Sequence, residues 1–250
     1  MGGAVSVLAI VQARMGSTRF PGKVLEPLGK DTMLWHVVTR TMRANINELV
    51  VATTDTPEDD PLADYCRQHQ WHCVRGPALD VLARYVKAAV AYPGHETILR
   101  VTADCPLIDP GVINGVLDLR ERERADYACN NLKRSFPHGL DCEAFTRESL
   151  LYSCRHAETE YDREHVTEYM RTVPREFSSA NLEAPVDLSW LRLTVDYPRD
   201  LDFIRKLLLA YPSKPHVTTA DVLWLLERRP DLLAEARRIA GFFSDSDGEA

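Results

Sequence analysis

The feature that most constrains this chain is a repeated alternation of short apolar runs with amphipathic helical stretches. Val5–Val11 is a continuous apolar run, as expected of a strand covered on both faces. Met33–Ala44 carries apolar residues at helical spacing, at Met33, Leu34, Val37, Val38 and Met42. Leu49–Thr53, Trp71–Val74, Thr97–Thr102 and Asp126–Cys129 read as further strands, and Pro61–Gln70, Leu79–Tyr92 and Pro110–Glu123 as the helices between them. Strand and helix alternate four times with short connections, which predicts a predominantly parallel sheet with helices on both faces. Ligands in such folds sit at the carboxyl ends of the strands. The loops after Val11, Thr53, Val74 and Thr102 would then share one rim.

The rhythm changes near Asn130. Gly139–Phe145 alternates like a strand, and Arg147–Ala157 and Arg163–Thr172 read as helices. Trp190–Val195 reads as a strand, with helices over Pro198–Leu209 and Thr219–Glu227. This predicts one domain over 1–243, an acceptor-side insertion over about 130–185 that closes over the rim, and a disordered acidic tail over 244–250.

At 250 residues the chain suits one large α/β domain. Its net charge of −7 favours no nucleic-acid backbone, so any basic site must be local. No apolar stretch reaches the ~18 residues that a membrane span needs. Six scattered cysteines without CxxC pairing fit reduced thiols better than zinc or disulfides, and a cytoplasmic protein is expected. The opening Met-Gly-Gly-Ala-Val-Ser matches an acylation pattern nominally, but Val5 already reads as strand.

Gln12–Lys23 (QARMGSTRFPGK) follows the first strand. Gly16, Ser17, Thr18 and Gly22 would let its backbone turn N–H groups toward an anion, and Arg14, Arg19 and Lys23 add three positive charges. A triphosphate needs both. The spacing is neither a Walker A loop nor a GxGxxG turn, and on composition alone a basic surface loop competes with an anion cradle. Asp104 leaves a buried strand directly, so it suits a magnesium ligand beside phosphates or, alternatively, a helix cap. Asp109, just before Pro110, reads as a cap. Asp196 repeats the geometry of Asp104 ahead of Pro198, with the same two readings, and Asp200 is a lesser candidate. Arg75 and Asp80 fall on the same rim. His138, Asp141, Glu143, Arg163 and His165 lie in the insertion, where each alone reads as a solvated polar residue and together they could meet an acceptor.

Together these segments resemble the cytidylyltransferases of the spore-coat-polysaccharide type, relatives of the enzymes that activate ulosonic acids with CTP. Gln12–Lys23 is close to the family's QARMGSTRLPGK, with Phe20 for Leu. Arg75–Tyr85 resembles RGSxxDVLxRY, and Arg100–Pro110 resembles RVTGDCPLIDP with Ala103 for Gly. Phe136–Phe145 resembles FPDGLDVEVF, with His138 and Cys142 as departures, and Asp196 falls in what resembles VDxPxDL.

The resemblance implies a Rossmann-like three-layer α/β/α fold with a mixed, mostly parallel sheet. It implies transfer of CMP from CTP to an acceptor with release of pyrophosphate. Ala13, Arg14, Gly16, Ser17 and Lys23 would hold the triphosphate, with Arg14, Lys23 and Asp104 acting in catalysis. Arg75 would lie near the base, Asp80 near the nucleoside, and Asp104 and Asp196 would hold Mg²⁺. A homodimer is implied as well. His138 stands where the family has an acid, and with Arg134 or Arg163 it favours an anionic acceptor. Competing readings are a nucleotidylyltransferase using UTP or GTP, and a nucleotide-binding module without activity.

Overall fold

The computed structural model describes residues 6–173, 175–214 and 216–244. The acylation pattern and the start of the first strand at Val5 lie outside these residues. So does the expected tail, except Ser244.

The apolar runs form the middle of the sheet. β1 (Val7–Gln12) is paired in parallel on one side with β4 (Glu48–Thr54) and on the other with β6 (Thr97–Thr102). β2 (Pro27–Leu28) and β3 (Asp31–Thr32) make a separate small antiparallel pair. β5 (His72–Gly76) extends the sheet beyond β4, again in parallel. The order is β5-β4-β1-β6-β8-β7-β9, with β7 over Tyr127–Cys129, β8 over Glu143–Thr146 and β9 over Ser179–Asn181. β8 runs antiparallel to both β6 and β7, which makes the sheet mixed.

Helices cover both faces. α1 (Met33–Thr41), α2 (Asp60–Gln68) and α4 (Pro110–Glu123) bury Leu34, Val37, Leu62, Ile113 and Val116 against one face. α3 (Val81–Ala91) and α5 (Arg147–His156) bury Leu82, Tyr85, Ala88 and Leu150 against the other. At about 25 cal/mol per Å² of apolar area, these two buried layers are the main source of stability. The three-layer α/β/α arrangement expected from the alternation is what forms.

The second half differs from its sequence pattern in three places. Segment 130–185 is woven into the sheet: β8 lies between β6 and β7, and β9 forms the edge. The helix expected over Arg163–Thr172 is two short ones, α6 (Glu160–His165) and α7 (Glu168–Thr172). They are broken at Val166, whose φ of 62° no helix tolerates. The Thr167 N–H turns back to the His165 carbonyl at 2.6 Å, a tight γ-turn. The strand expected over Trp190–Val195 is an extended segment with one isolated bridge, His138 to Arg192. Its Leu191, Leu193 and Val195 instead join a third apolar cluster with α8 (Pro198–Leu209), α9 (Thr219–Arg228) and α10 (Pro230–Ser244). α10 was not anticipated.

Gly139 lets this segment cross. Its φ is 102°, and a Cβ there would lie 2.5 Å from the Leu193 carbonyl carbon and the Thr194 nitrogen. Only glycine fits such a close passage of two backbones.

Candidate active site

The carboxyl ends of β1 and β6 open into a cleft of about 200 Å³. Its walls come from the loop after β1, from Thr102–Asp104 after β6, and from Asp196. The cleft therefore joins three segments that are far apart in the sequence.

Lys23 sits where they meet. A short 3₁₀ turn over Lys23–Leu25, entered through Gly22 at φ 74°, turns its side chain inward. Its Nζ donates to the Val195 carbonyl at 2.6 Å, to Asp196 Oδ1 at 3.2 Å and to Asp104 Oδ2 at 3.4 Å. Three oxygens from two distant segments thus converge on one cation.

Asp196 carries more positive charge than Lys23 alone. Arg19 Nη2 reaches its Oδ1 at 2.7 Å, and Arg192 donates to its Oδ2. Burial pushes the Asp196 carboxyl up, but Lys23, Arg19 and Arg192 outweigh burial and hold it below its ordinary value. Asp196 does not cap α8. Asp200, itself buried, accepts from the N–H groups of Asp196 and Tyr197 at the start of α8. Asp109 is a cap, on Gly111 N, and also accepts from Thr219 at the start of α9.

The donor set fits a divalent cation that arrives with phosphates. Among the described residues no group of three or more His, Cys, Asp or Glu side chains could hold a metal by itself. Two carboxylates plus phosphate oxygens and water are what Mg²⁺ takes in such sites. The ammonium of Lys23 marks where the oxygens of Asp104 and Asp196 converge.

Arg14 is exposed at the mouth of the cleft, and it makes no ion pair among the described residues. Ser17 lines the cleft. The Ala13 N–H donates to the Ala52 carbonyl, so it serves the sheet rather than the cleft.

Most of the remaining candidates are paired within the chain. Arg75 wraps the loop after β4 through the Thr54 carbonyl at 2.9 Å, the Thr56 carbonyl at 2.7 Å and Asp60 at 2.7 Å. Asp80 caps α3 at Ala83 N and pairs with Arg163 at 2.6 Å, which latches α6 onto α3. Arg163 donates also to the carbonyls of Cys154 and Ala157. Asp141 pairs with Arg134 at 2.6 Å and accepts from Gly139 N.

Glu143 does not reach the rim, contrary to expectation. It is 1% exposed, ion-paired with Arg100, and accepts from the Tyr127 hydroxyl at 2.7 Å and Thr167 Oγ1 at 3.0 Å. Burial pushes its carboxyl up, and Arg100 and Tyr127 outweigh that and hold it down. His138 is half-buried beside the 190–195 segment, and His165 is exposed with its ring 4.2 Å from that of Tyr161.

Sequence reasoning missed three contributors. Arg192 and the Val195 carbonyl reach the site through a crossing that no local pattern encodes. Asp59 reaches Met15 across 44 positions. Its only signal is an acidic cluster in a loop after a strand.

A sheet of this order, with a glycine- and arginine-bearing loop and two carboxylates at its carboxyl edge, defines a nucleotidyltransferase-type α/β protein. The cytidylyltransferase family model matches residues 8–235, and the chain belongs to that family. It is 33% identical over 238 residues to the spore coat polysaccharide biosynthesis protein SpsF of Bacillus subtilis, covering 92% of this chain and 97% of that one. A solved cytidylyltransferase from Leptospira borgpetersenii superposes with a TM-score of 0.85 at 30% identity, over 91% of this chain and 96% of that one. The CMP:2-keto-3-deoxy-manno-octonic acid synthetase solved with CTP gives a TM-score of 0.64 at 18% identity, over 82% of this chain and 99% of that one, a likeness of fold alone. No helix among the described residues is long and apolar enough to cross a membrane.

Proposed function

We propose that this chain transfers CMP from CTP to an anionic acceptor and releases pyrophosphate. The observation that carries the reading is the convergence of the Gln12–Lys23 loop, Asp104 and Asp196 on one cleft through Lys23. Family membership and the CTP bound to the octonic acid synthetase support cytidine as the base.

The acceptor oxygen attacks the α-phosphorus, and the bond from that phosphorus to the departing pyrophosphate oxygen breaks. A hydroxyl acceptor gives its proton to solvent, and a phosphate acceptor arrives already ionised. The protein's task is to position the reactants and to neutralise charge. Arg14 and the loop N–H groups hold the triphosphate, while Lys23 moves from the carboxylates to the leaving phosphates. Asp104 and Asp196 would hold Mg²⁺, which when bound neutralises phosphate oxygens as a Lewis acid. His138 bridges to Arg192, which pairs with Asp196 of the cleft. The half-buried His138 and the cations Arg19 and Arg192 suit an acceptor carrying a carboxylate or phosphate, such as a sugar acid or sugar phosphate. The relationship to a spore-coat polysaccharide protein supports a place in surface polysaccharide synthesis.

The test is pyrophosphate release with CTP, UTP, GTP and ATP, each with Mg²⁺ and a panel of ulosonic acids, sugar phosphates and neutral sugars. CTP with an anionic acceptor should be preferred by about tenfold or more, the worth of one well-placed charged hydrogen bond. Preference for another triphosphate, or no release with any acceptor, would overturn the reading.

A further inference from the structure

The Gln12–Lys23 loop has to hold a fixed shape with little regular structure. The backbone of Met15 is its hub. The Met15 carbonyl accepts from Ser17 N at 2.8 Å and Gly22 N at 2.9 Å, which closes the loop on itself. The Met15 N–H points out of the loop and donates to Asp59 Oδ1 at 2.6 Å.

Asp59 is 1% exposed and ends a 3₁₀ turn, Pro57–Asp59, that follows β4. Its other oxygen accepts from Thr53 Oγ1 at 2.8 Å, Thr54 N at 2.9 Å and Thr54 Oγ1 at 2.5 Å. No Lys, Arg or His bonds to it among the described residues. All of its hydrogen bonds come from neutral donors, and a carboxylate held so is fixed in direction. The same turn sets Glu58 against the loop, where a Cβ on Gly16 would lie 3.1 Å from its carboxylate oxygen.

The other loop amides complete the account. The N–H groups of Ala13, Ser17, Gly22 and Lys23 bond to the carbonyls of Ala52, Met15, Met15 and Phe20, and that of Phe20 bonds to Ser17 Oγ. Those of Arg14, Gly16, Thr18 and Arg19 take no partner among the described residues. Two of these, Arg14 and Gly16, flank the one loop amide that Asp59 holds.

We propose that Asp59 is the positioning residue of the triphosphate loop: through the Met15 amide it aims the free N–H group of the neighbouring Arg14 into the cleft, without touching the nucleotide. This rests on reading the cleft as the CTP site. A charge-assisted hydrogen bond from the β4 edge thus shapes a binding loop on the neighbouring β1 edge.

Asp59→Asn keeps the size and removes the charge, and it turns an NH₂ toward one set of donors. KM for CTP should rise about tenfold while KM for the acceptor stays within about twofold. Without nucleotide, amide hydrogen exchange across 14–22 should speed up about tenfold or more, with β1 and β4 unchanged. Thr53→Val is the control. It takes one donor from the far oxygen and leaves the Met15 arm, so it should lower Tm while loop exchange and KM for CTP stay within about twofold. Equal loosening of the loop in both variants, or parallel rises in both KM values, would overturn the proposal.

The wild-type protein gives a second reading that needs no variant. The Met15 amide should exchange about tenfold or more slowly relative to Arg14 and Gly16, and equal rates at the three would also overturn the proposal. A loop loosened in Asp59→Asn with an unchanged KM for CTP would refute the triphosphate site itself while leaving Asp59 as the anchor of the loop. The two failures are therefore distinguishable.

Discussion

The proposed nucleotide and acceptor sides are built differently. On the nucleotide side, Arg14, Lys23, Asp104 and Asp196 line one cleft. On the acceptor side, Asp141, Glu143 and Arg163 pair within the fold, with Arg134, Arg100 and Asp80. Polar residues of the same types, in equally suggestive motifs, line a cleft on one side and build the fold on the other. The difference follows from topology. The nucleotide side sits where parallel strands end and loops leave the sheet, so its side chains have nowhere to go but the rim. The acceptor side is threaded back through the sheet as β8, and its charges must be satisfied inside.

The largest effect that would break this contrast is at Glu143. Glu143→Ala leaves Arg100 buried without its partner, and breaking such a pair costs about 3–5 kcal/mol. Urea denaturation should show that loss, and turnover per folded molecule should persist. A small stability change with a raised acceptor KM would move Glu143 to the substrate.

Asp104 should behave in the opposite way. Asp104→Asn should lower kcat by about a hundredfold, the worth of one charged group near the reacting phosphates. Stability should move by less than about 1 kcal/mol, because its pairing with Lys23 is partly exposed. Near-normal turnover would remove Asp104 from the chemistry.

What was legible in the sequence divides along the same line. Val7–Gln12 and Thr97–Thr102 announce themselves by apolar continuity, and the loop between β1 and α1 follows its strand directly. Their placement on one rim needed only the alternation. Glu143 could not be read, because its partner Arg100 becomes its neighbour only through antiparallel pairing of β8 with β6. Val166 could not be read either. Arg163–Thr172 has helical spacing throughout, and the break comes from tertiary anchoring of Thr167 on Glu143. Asp59 is one acid in a loop cluster, and its partner Met15 lies 44 positions away. Trp190–Val195 was read as sheet because its alternation is real, but its apolar face meets the C-terminal helices instead.

Arg163 tests the contrast more finely. Its pair with Asp80 is about three-tenths exposed on each side, so its loss should cost only about 1 kcal/mol. Arg163→Ala should therefore lower Tm slightly and leave the acceptor KM within about twofold. A tenfold rise in acceptor KM would mean that Arg163 leaves Asp80 to bind substrate, and the latch would become part of recognition.

The smallest effect separates the two sides by how their carboxylates are held. Both Asp196 and Glu143 titrate below their ordinary values of 3.8 and 4.5. A depressed folded value means that the stability each contributes is fully present above its ordinary value. That stability is lost as pH falls through the lowered one. Asp196→Asn and Glu143→Gln should each flatten the acid limb of the stability profile below about pH 4, and neither should change its slope near neutrality. Salt then divides them. Asp196 is held partly by Arg19, whose side chain is 50% exposed, whereas Glu143 is sealed against Arg100. Raising ionic strength from about 0.05 to about 0.5 M should shrink the Asp196 contribution and spare that of Glu143, since exposed charges are screened and buried pairs much less so. Equal salt sensitivity would mean that solvent reaches both carboxylates alike, and the acceptor side would then be an open site.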